Sequence, residues 1–133
     1  MKNTEAVGKI TWLMGHSDQH CDWTVDDLHR LIIPPVALQQ FRIWQVDEHP
    51  VGLMTWALFN EETEAGYLDG SRKIQPDDWN AGDRLWLVDF IAPYGNVREM
   101  VREGRDHLRS IFGKGVVGRA NRLHRGKLWY AVT

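Results

Sequence analysis

A chain of 133 residues that is 43% hydrophobic and carries seven tryptophans has the apolar material for one folded unit and is too short for two. It has no run of about eighteen apolar residues and no charged, apolar and small-residue leader pattern, so neither a membrane span nor a secretory signal is expected, and a cytoplasmic location follows as the default. The formal net charge of −2 is divided along the chain: Arg98 to Lys127 holds nine Lys or Arg against three acids, giving +6, and the remainder carries −8.

In chain order, an amphipathic helix is predicted from Glu5 to about Gly15, then a short helical piece over Val25 to Arg30 that Pro34-Pro35 should halt. Phe41 to Val46 and Val51 to Phe59 read as two strands joined across Asp47-Glu48-His49-Pro50, and Glu61 to Leu68 reads as helical. After the turn-rich stretch Gln75 to Asp83 comes a strand through Leu85, Leu87 and Asp89, apolar enough to be buried on both faces. A long helix follows Gly95, with Val97, Met100, Val101, Leu108, Ile111 and Phe112 on one face and Arg98, Glu99, Arg102, Arg105 and Arg109 outside it. Gly113 and Gly115 end it, and Val116 to Arg122 and Lys127 to Val132 make a closing strand pair around Leu123-His124-Arg125-Gly126. Helices alternating with a strand meander give an α/β class and leave several folds open. Of the tryptophans, Trp12, Trp44, Trp56 and Trp86 are expected in the core or along an apolar groove.

Asp89 is the most informative single residue. A carboxylate inside an apolar strand needs partners, and two readings satisfy that need: a cap for the following turn, or an orienting group for a catalytic histidine at the strand's carboxyl end. His20 stands near the first helix, three residues after Ser17 and beside Cys21. For Ser17, capping or positioning is preferred over a nucleophilic role, and for Cys21, packing over acyl transfer. His16 and His20 have the i, i+4 spacing of a metal pair with Asp18 and Asp22 nearby. Neither a His-Glu-x-x-His core nor a paired cysteine motif accompanies them, so no metal is assigned. The basic segment suits an anionic partner, and no groove-reading motif directs it to nucleic acid.

Taken together, Trp12-Leu13-Met14-Gly15-His16-Ser17-Asp18-Gln19-His20, Pro34-Pro35 with Gln40, Pro50-Val51-Gly52 leading to Thr55-Trp56-Ala57, and Asp78-Trp79-Asn80-Ala81-Gly82-Asp83 form an ordered series. This series resembles the RTX-toxin-activating lysine acyltransferases, the haemolysin-activating C proteins, from about Gly8 to Gly95, and the likeness weakens beyond. The resemblance implies a single-domain GNAT-like fold with a mixed, mostly antiparallel sheet flanked by helices. It implies a catalytic His at His20 and a catalytic Asp at Asp89, and transfer of a fatty acyl group from acyl carrier protein to internal lysines of an RTX-type protoxin. Ordinary GNAT enzymes hold coenzyme A on a Gly-rich loop, whereas Ala92-Pro93-Tyr94-Gly95-Asn96 offers one glycine, so acyl carrier protein is the expected donor and no cofactor is bound.

The chemistry fits these residues. Lysine, with a pKa near ~10.4, arrives protonated, and an imidazole with an ordinary pKa near ~6.5 can act as its base. Arg98, Arg102, Arg105 and Arg109 are expected to dock the acidic carrier. A homodimer stays open, as do a related acyltransferase with another protein acceptor and a non-catalytic module that uses the basic segment to bind an acidic partner.

Overall fold

A computed structural model describes residues 1–122 and 127–132. Helix α1, Asn3–Met14, buries Ala6, Ile10, Leu13 and Met14, the helical spacing that the sequence shows. Helix α2, Val25–Leu31, is started by a capping box: the Thr24 hydroxyl accepts the Asp27 N–H at 3.1 Å and the Asp27 carboxylate accepts the Thr24 N–H at 2.8 Å. Pro34 and Pro35 act differently from expectation. They occupy the first turn of a further helix, α3, Ile33–Ala37, where a missing N–H leaves no intrahelical bond unmade.

Strands β1, Phe41–Val46, and β2, His49–Phe59, form a hairpin closed by Asp47 and Glu48 alone, both at positive φ (48° and 69°), so the connection is two residues and not the expected four. Helix α4, Glu61–Asp69, is capped by Asn60, whose side-chain oxygen accepts the Thr63 N–H at 2.7 Å. Strand β3, Arg84–Ile91, leads through a turn into α5, Val97–Phe112, and strands β4, Val117–Arg122, and β5, Lys127–Val132, follow. The turn expected around Leu123-His124-Arg125-Gly126 lies outside the described residues.

The strands make one sheet in the order β1-β2-β3-β4-β5, antiparallel throughout except for β3 and β4, which run parallel with α5 as the crossover. Alternation along β2 divides the core between the two faces of the sheet. Leu53 packs with Ile91 against α1 and α3, and Ala57 and Phe59 pack with Trp79, Trp86 and Tyr67 of α4. On the opposite face Met54, Trp56 and Leu85 meet Leu108 of α5.

Several expectations about the core change. β3 buries Leu85, Trp86 and Ile91, but residues 87–90 are only half-buried. On α5 the inward positions are Met100, Gly104 and Leu108, while Val97, Val101 and Ile111 are exposed. The facing strands carry large side chains, and a Cβ on Gly104 would meet Met54 Sδ at 3.0 Å, so the helix approaches along its glycine. Trp12 is 60% exposed, whereas Trp79, which carried no core expectation, is fully buried and donates its Nε1–H to the Arg30 carbonyl at 2.8 Å.

The motif Asp78-Trp79-Asn80-Ala81-Gly82 belongs to this framework. Asp78 accepts bonds from Arg72 and the Gln75 N–H, and a Cβ on Gly82 would lie 2.5 Å from the Phe59 carbonyl oxygen. Gln40 is equally structural: its Nε2 donates to the carbonyls of Trp56 and Trp79, both at 3.0 Å.

Candidate active site

The segment after α1 stays coiled in successive turns. The Ser17 carbonyl accepts the N–H groups of His20 (3.0 Å) and Cys21 (2.9 Å), which swings the His20 ring back toward the sheet. Only 5% of His20 is exposed, and its ring lies against Trp23 with centroids 4.8 Å apart. Nε2 stands 2.9 Å from Asp89 Oδ1 on β3, and Nδ1 stands 2.7 Å from Ser17 Oγ.

These two contacts determine the tautomer. An ionised carboxylate only accepts, so Nε2 carries the proton and donates to Asp89; in the neutral ring Nδ1 then has the lone pair and accepts the Ser17 hydroxyl. Ser17, His20 and Asp89 thus lie in one hydrogen-bonded line, with the basic nitrogen on the Ser17 side.

Asp89 is held just as closely. Its N–H donates to the Thr55 hydroxyl at 3.1 Å, and its Oδ2 is buried with no hydrogen-bond partner among the described residues. Tyr67 lies close enough to feel that charge: burial first, and then the Asp89 carboxylate, push its phenol up to about 12, so it remains neutral.

His16 takes no part in this line. Its Nδ1–H donates to the Trp12 carbonyl at 2.8 Å, and its ring sits between Trp12 and Tyr94 at centroid distances of 5.3 and 5.8 Å. The His16–Tyr94 contact brings the turn after β3 beside the end of α1. Cys21 is exposed, with its thiol toward the Asp18 carbonyl and away from this line. Among the described residues no three His, Cys, Asp or Glu side chains cluster as metal ligands, and no helix is long and apolar enough to cross a membrane.

A sequence profile of the RTX toxin acyltransferase family matches residues 1–127. The chain belongs to that family. The match runs well past Gly95, where the motif likeness fades, and so takes in α5 and β4. The RTX-II toxin-activating lysine-acyltransferase ApxIIC of Actinobacillus pleuropneumoniae is 35% identical over 121 residues, 91% of this chain and 72% of that protein. The protein-lysine myristoyltransferase RtxC of Kingella kingae is 32% identical over 126 residues, 95% of this chain and 72% of its own length. The protein-lysine palmitoyltransferase CyaC of Bordetella bronchiseptica is 35% identical over 124 residues, covering 91% and 64%.

In this family member the four arginines of α5 are exposed and fall at spacings of four, three and four residues, which stacks them in one stripe on the helix face turned from the sheet. Arg109 approaches Asp106 at 4.0 Å; Arg98, Arg102 and Arg105 have no ion pair among the described residues. The inward side of the helix is anchored by Glu103, which accepts bonds from Arg42 and, at 2.7 Å, from Trp44 Nε1. The Arg42 bond, the largest influence, holds the Glu103 carboxyl below its ordinary range, and burial together with the Arg42 charge keeps His107 below its own.

Of the residues predicted for the site, Ser17, His20 and Asp89 are brought together, and the arginines stand apart on α5. Sequence reasoning missed Thr55 and Tyr67 beside Asp89. Thr55 lies within a motif that carried part of the family resemblance, but nothing in the motif says which backbone group its hydroxyl meets.

Proposed function

We propose that this chain is a protein-lysine N-acyltransferase that moves a fatty acyl group from acyl carrier protein to the ε-amine of internal lysines in an RTX-type protoxin. The observation that carries the reading is the His20 ring, bonded to a carboxylate through one nitrogen and presenting the other beside Ser17, in a chain of the RTX toxin acyltransferase family. The functions of the relatives, lysine acyl transfer with toxin activation in one and myristoyl or palmitoyl transfer in others, support the same chemistry.

In this reading His20 is the base and Asp89 holds its tautomer and stabilises the imidazolium. Ser17 positions the ring from the other side and yields Nδ1 to the incoming amine. The ammonium gives a proton to Nδ1, and the freed nitrogen attacks the thioester carbonyl. One N–C bond forms and one C–S bond breaks. Of the two protons the nitrogen loses, one ends on the departing thiol and the other in solvent. Backbone amides of the turn from Ala92 to Gly95 receive the oxyanion in this reading; Pro93 has none and Gly95 donates to the Ala92 carbonyl at 3.3 Å, which leaves those of Ala92 and Tyr94.

The same proposal takes residues 1–133 as one GNAT-like domain, supported by a mixed sheet in which α5 links parallel strands β3 and β4. It places the carrier on the arginine stripe and the reaction in the cytoplasm, with acyl carrier protein as donor substrate and no bound cofactor. One second reading has an observation of its own: Ser17 Oγ at 2.7 Å from Nδ1 is also the geometry of a nucleophile and its base. Mass spectrometry of an RTX acceptor incubated with acylated carrier and enzyme tests the proposal. Acyl-lysine formation is expected, and its absence with folded enzyme and intact donor would overturn it.

A further inference from the structure

The β2–β3 ladder pairs Phe59 with Arg84 through to Trp56 with Leu87, skips Val88, and resumes with Thr55 opposite Asp89 and Leu53 opposite Ile91. Side chains alternate across a strand, so without the skipped residue Asp89 would share the face of Leu85 and Leu87, under α5. The extra residue reverses the alternation. Asp89 and Ile91 come round to the face of α1, where His20 lies.

A bulge interrupts the ladder and leaves backbone groups to be satisfied some other way. Here the Asp89 N–H goes to the hydroxyl of Thr55, which has no exposed surface. On the neighbouring residue, the Trp56 N–H donates to the Gln40 carbonyl at 3.1 Å and the Trp56 carbonyl accepts from Gln40 Nε2. The strand opposite the skip is therefore braced from outside the ladder.

We propose that Thr55 is a positioning residue for acyl transfer: its hydroxyl, by accepting the Asp89 N–H, holds the register in which the Asp89 carboxylate meets His20 Nε2. This rests on the reading of His20 and Asp89 as base and orienting partner. Thr55→Val keeps the shape and removes the acceptor, so the Asp89 N–H loses the Thr55 hydroxyl and the carboxylate its aim.

The test combines steady-state acylation of an RTX acceptor with ¹⁵N NMR of the His20 ring, which reports the tautomer independently of turnover. Thr55→Val is expected to lower kcat by about 10- to 100-fold, the usual range when the partner behind a functional ligand is lost. KM for the donor should hold, and the ring should drift from the Nε2-protonated tautomer toward the mixture expected in Asp89→Asn. Thr55→Ser, which retains the hydroxyl, should restore both. If Thr55→Val does not fold, Thr55→Ala replaces it, and equal tautomer populations in the Ser and Ala variants would overturn the proposal. Wild-type kcat and tautomer in folded Thr55→Val, with Asp89→Asn altered, would overturn Thr55 alone. An unaltered Asp89→Asn would overturn the His20–Asp89 reading and this proposal with it.

Discussion

His20 Nε2 and Asp89 Oδ1 meet at 2.9 Å across 69 residues of chain, one on the turn after α1 and the other on β3. Both side chains are largely buried, so the bond is little screened and the imidazole has one orientation to present. His20→Ala should reduce lysine acylation by about 10²- to 10⁴-fold, the span of general base catalysis, without unfolding the protein. Asp89→Asn should lower kcat by at least about 10²-fold, since an amide cannot hold the same tautomer as firmly. Initial rates with purified donor and acceptor, alongside circular dichroism, decide it; near-normal turnover by folded His20→Ala would remove the base.

Direct transfer and an acyl-enzyme part ways when the acceptor is withheld. With His20 as base, incubation with acylated carrier alone should leave Ser17, His20 and Cys21 unmodified in intact-mass and peptide spectra. Ser17→Ala should lower kcat by about tenfold through loss of the Nδ1 contact, and Cys21→Ala should change it little. An acyl group on Ser17 that chases onto acceptor lysine would establish the covalent route instead.

Charge reversal on α5 tests whether the arginine stripe docks the donor. Converting Arg102, Arg105 and Arg109 to Glu should weaken carrier binding, mainly by slowing association, and flatten its dependence on salt. Chemistry at His20 should persist, so saturating donor should recover much of kcat. The measurement is a titration with labelled acyl carrier protein at two ionic strengths. Unchanged affinity and salt response would move docking to another face.

Acid stability should depend on two buried carboxylates, Glu64 and Asp78. Burial pushes Glu64 up, but bonds from Trp86 and Arg84 and the charges of Arg84 and Arg119 outweigh it, and the carboxyl lies below its ordinary 4.5. Asp78 follows the same pattern: burial is outweighed by Arg72 and the Gln75 N–H, and it lies below 3.8. A depressed folded pKa contributes stability that is complete above the unfolded value and is lost as pH falls through the folded one. Stability should therefore hold above about pH 5 and fall steadily below pH 4.5. Glu64→Gln should cost about 2 kcal/mol at pH 7 and flatten the acid limb. Urea unfolding at several pH values checks it, and an unchanged acid limb would assign the effect to other groups.

Much of the architecture was legible in the residues themselves. Ala6, Ile10, Leu13 and Met14 mark α1 by spacing, and the turn chemistry around Asp47 locates the hairpin. An ordered series of motifs marked His20 and Asp89 as a pair before any contact between them was visible. The helix and hairpin signals are local, written by propensity and periodicity within a few residues, while the pairing of His20 with Asp89 is what the family resemblance implies. What tertiary structure alone decided is how those signals face one another. A strand's period is two, so a single looped-out residue at Val88 changes the face of Asp89 while leaving the composition of β3 as apolar as before. The inward side of α5 follows Gly104 and not its valines, because Trp44 and Met54 on the facing strands set where a helix can approach. Thr55 could be read as a strand former, but its hydroxyl's partner is an N–H 34 residues away, beside a break in a ladder that exists only once the strands have paired.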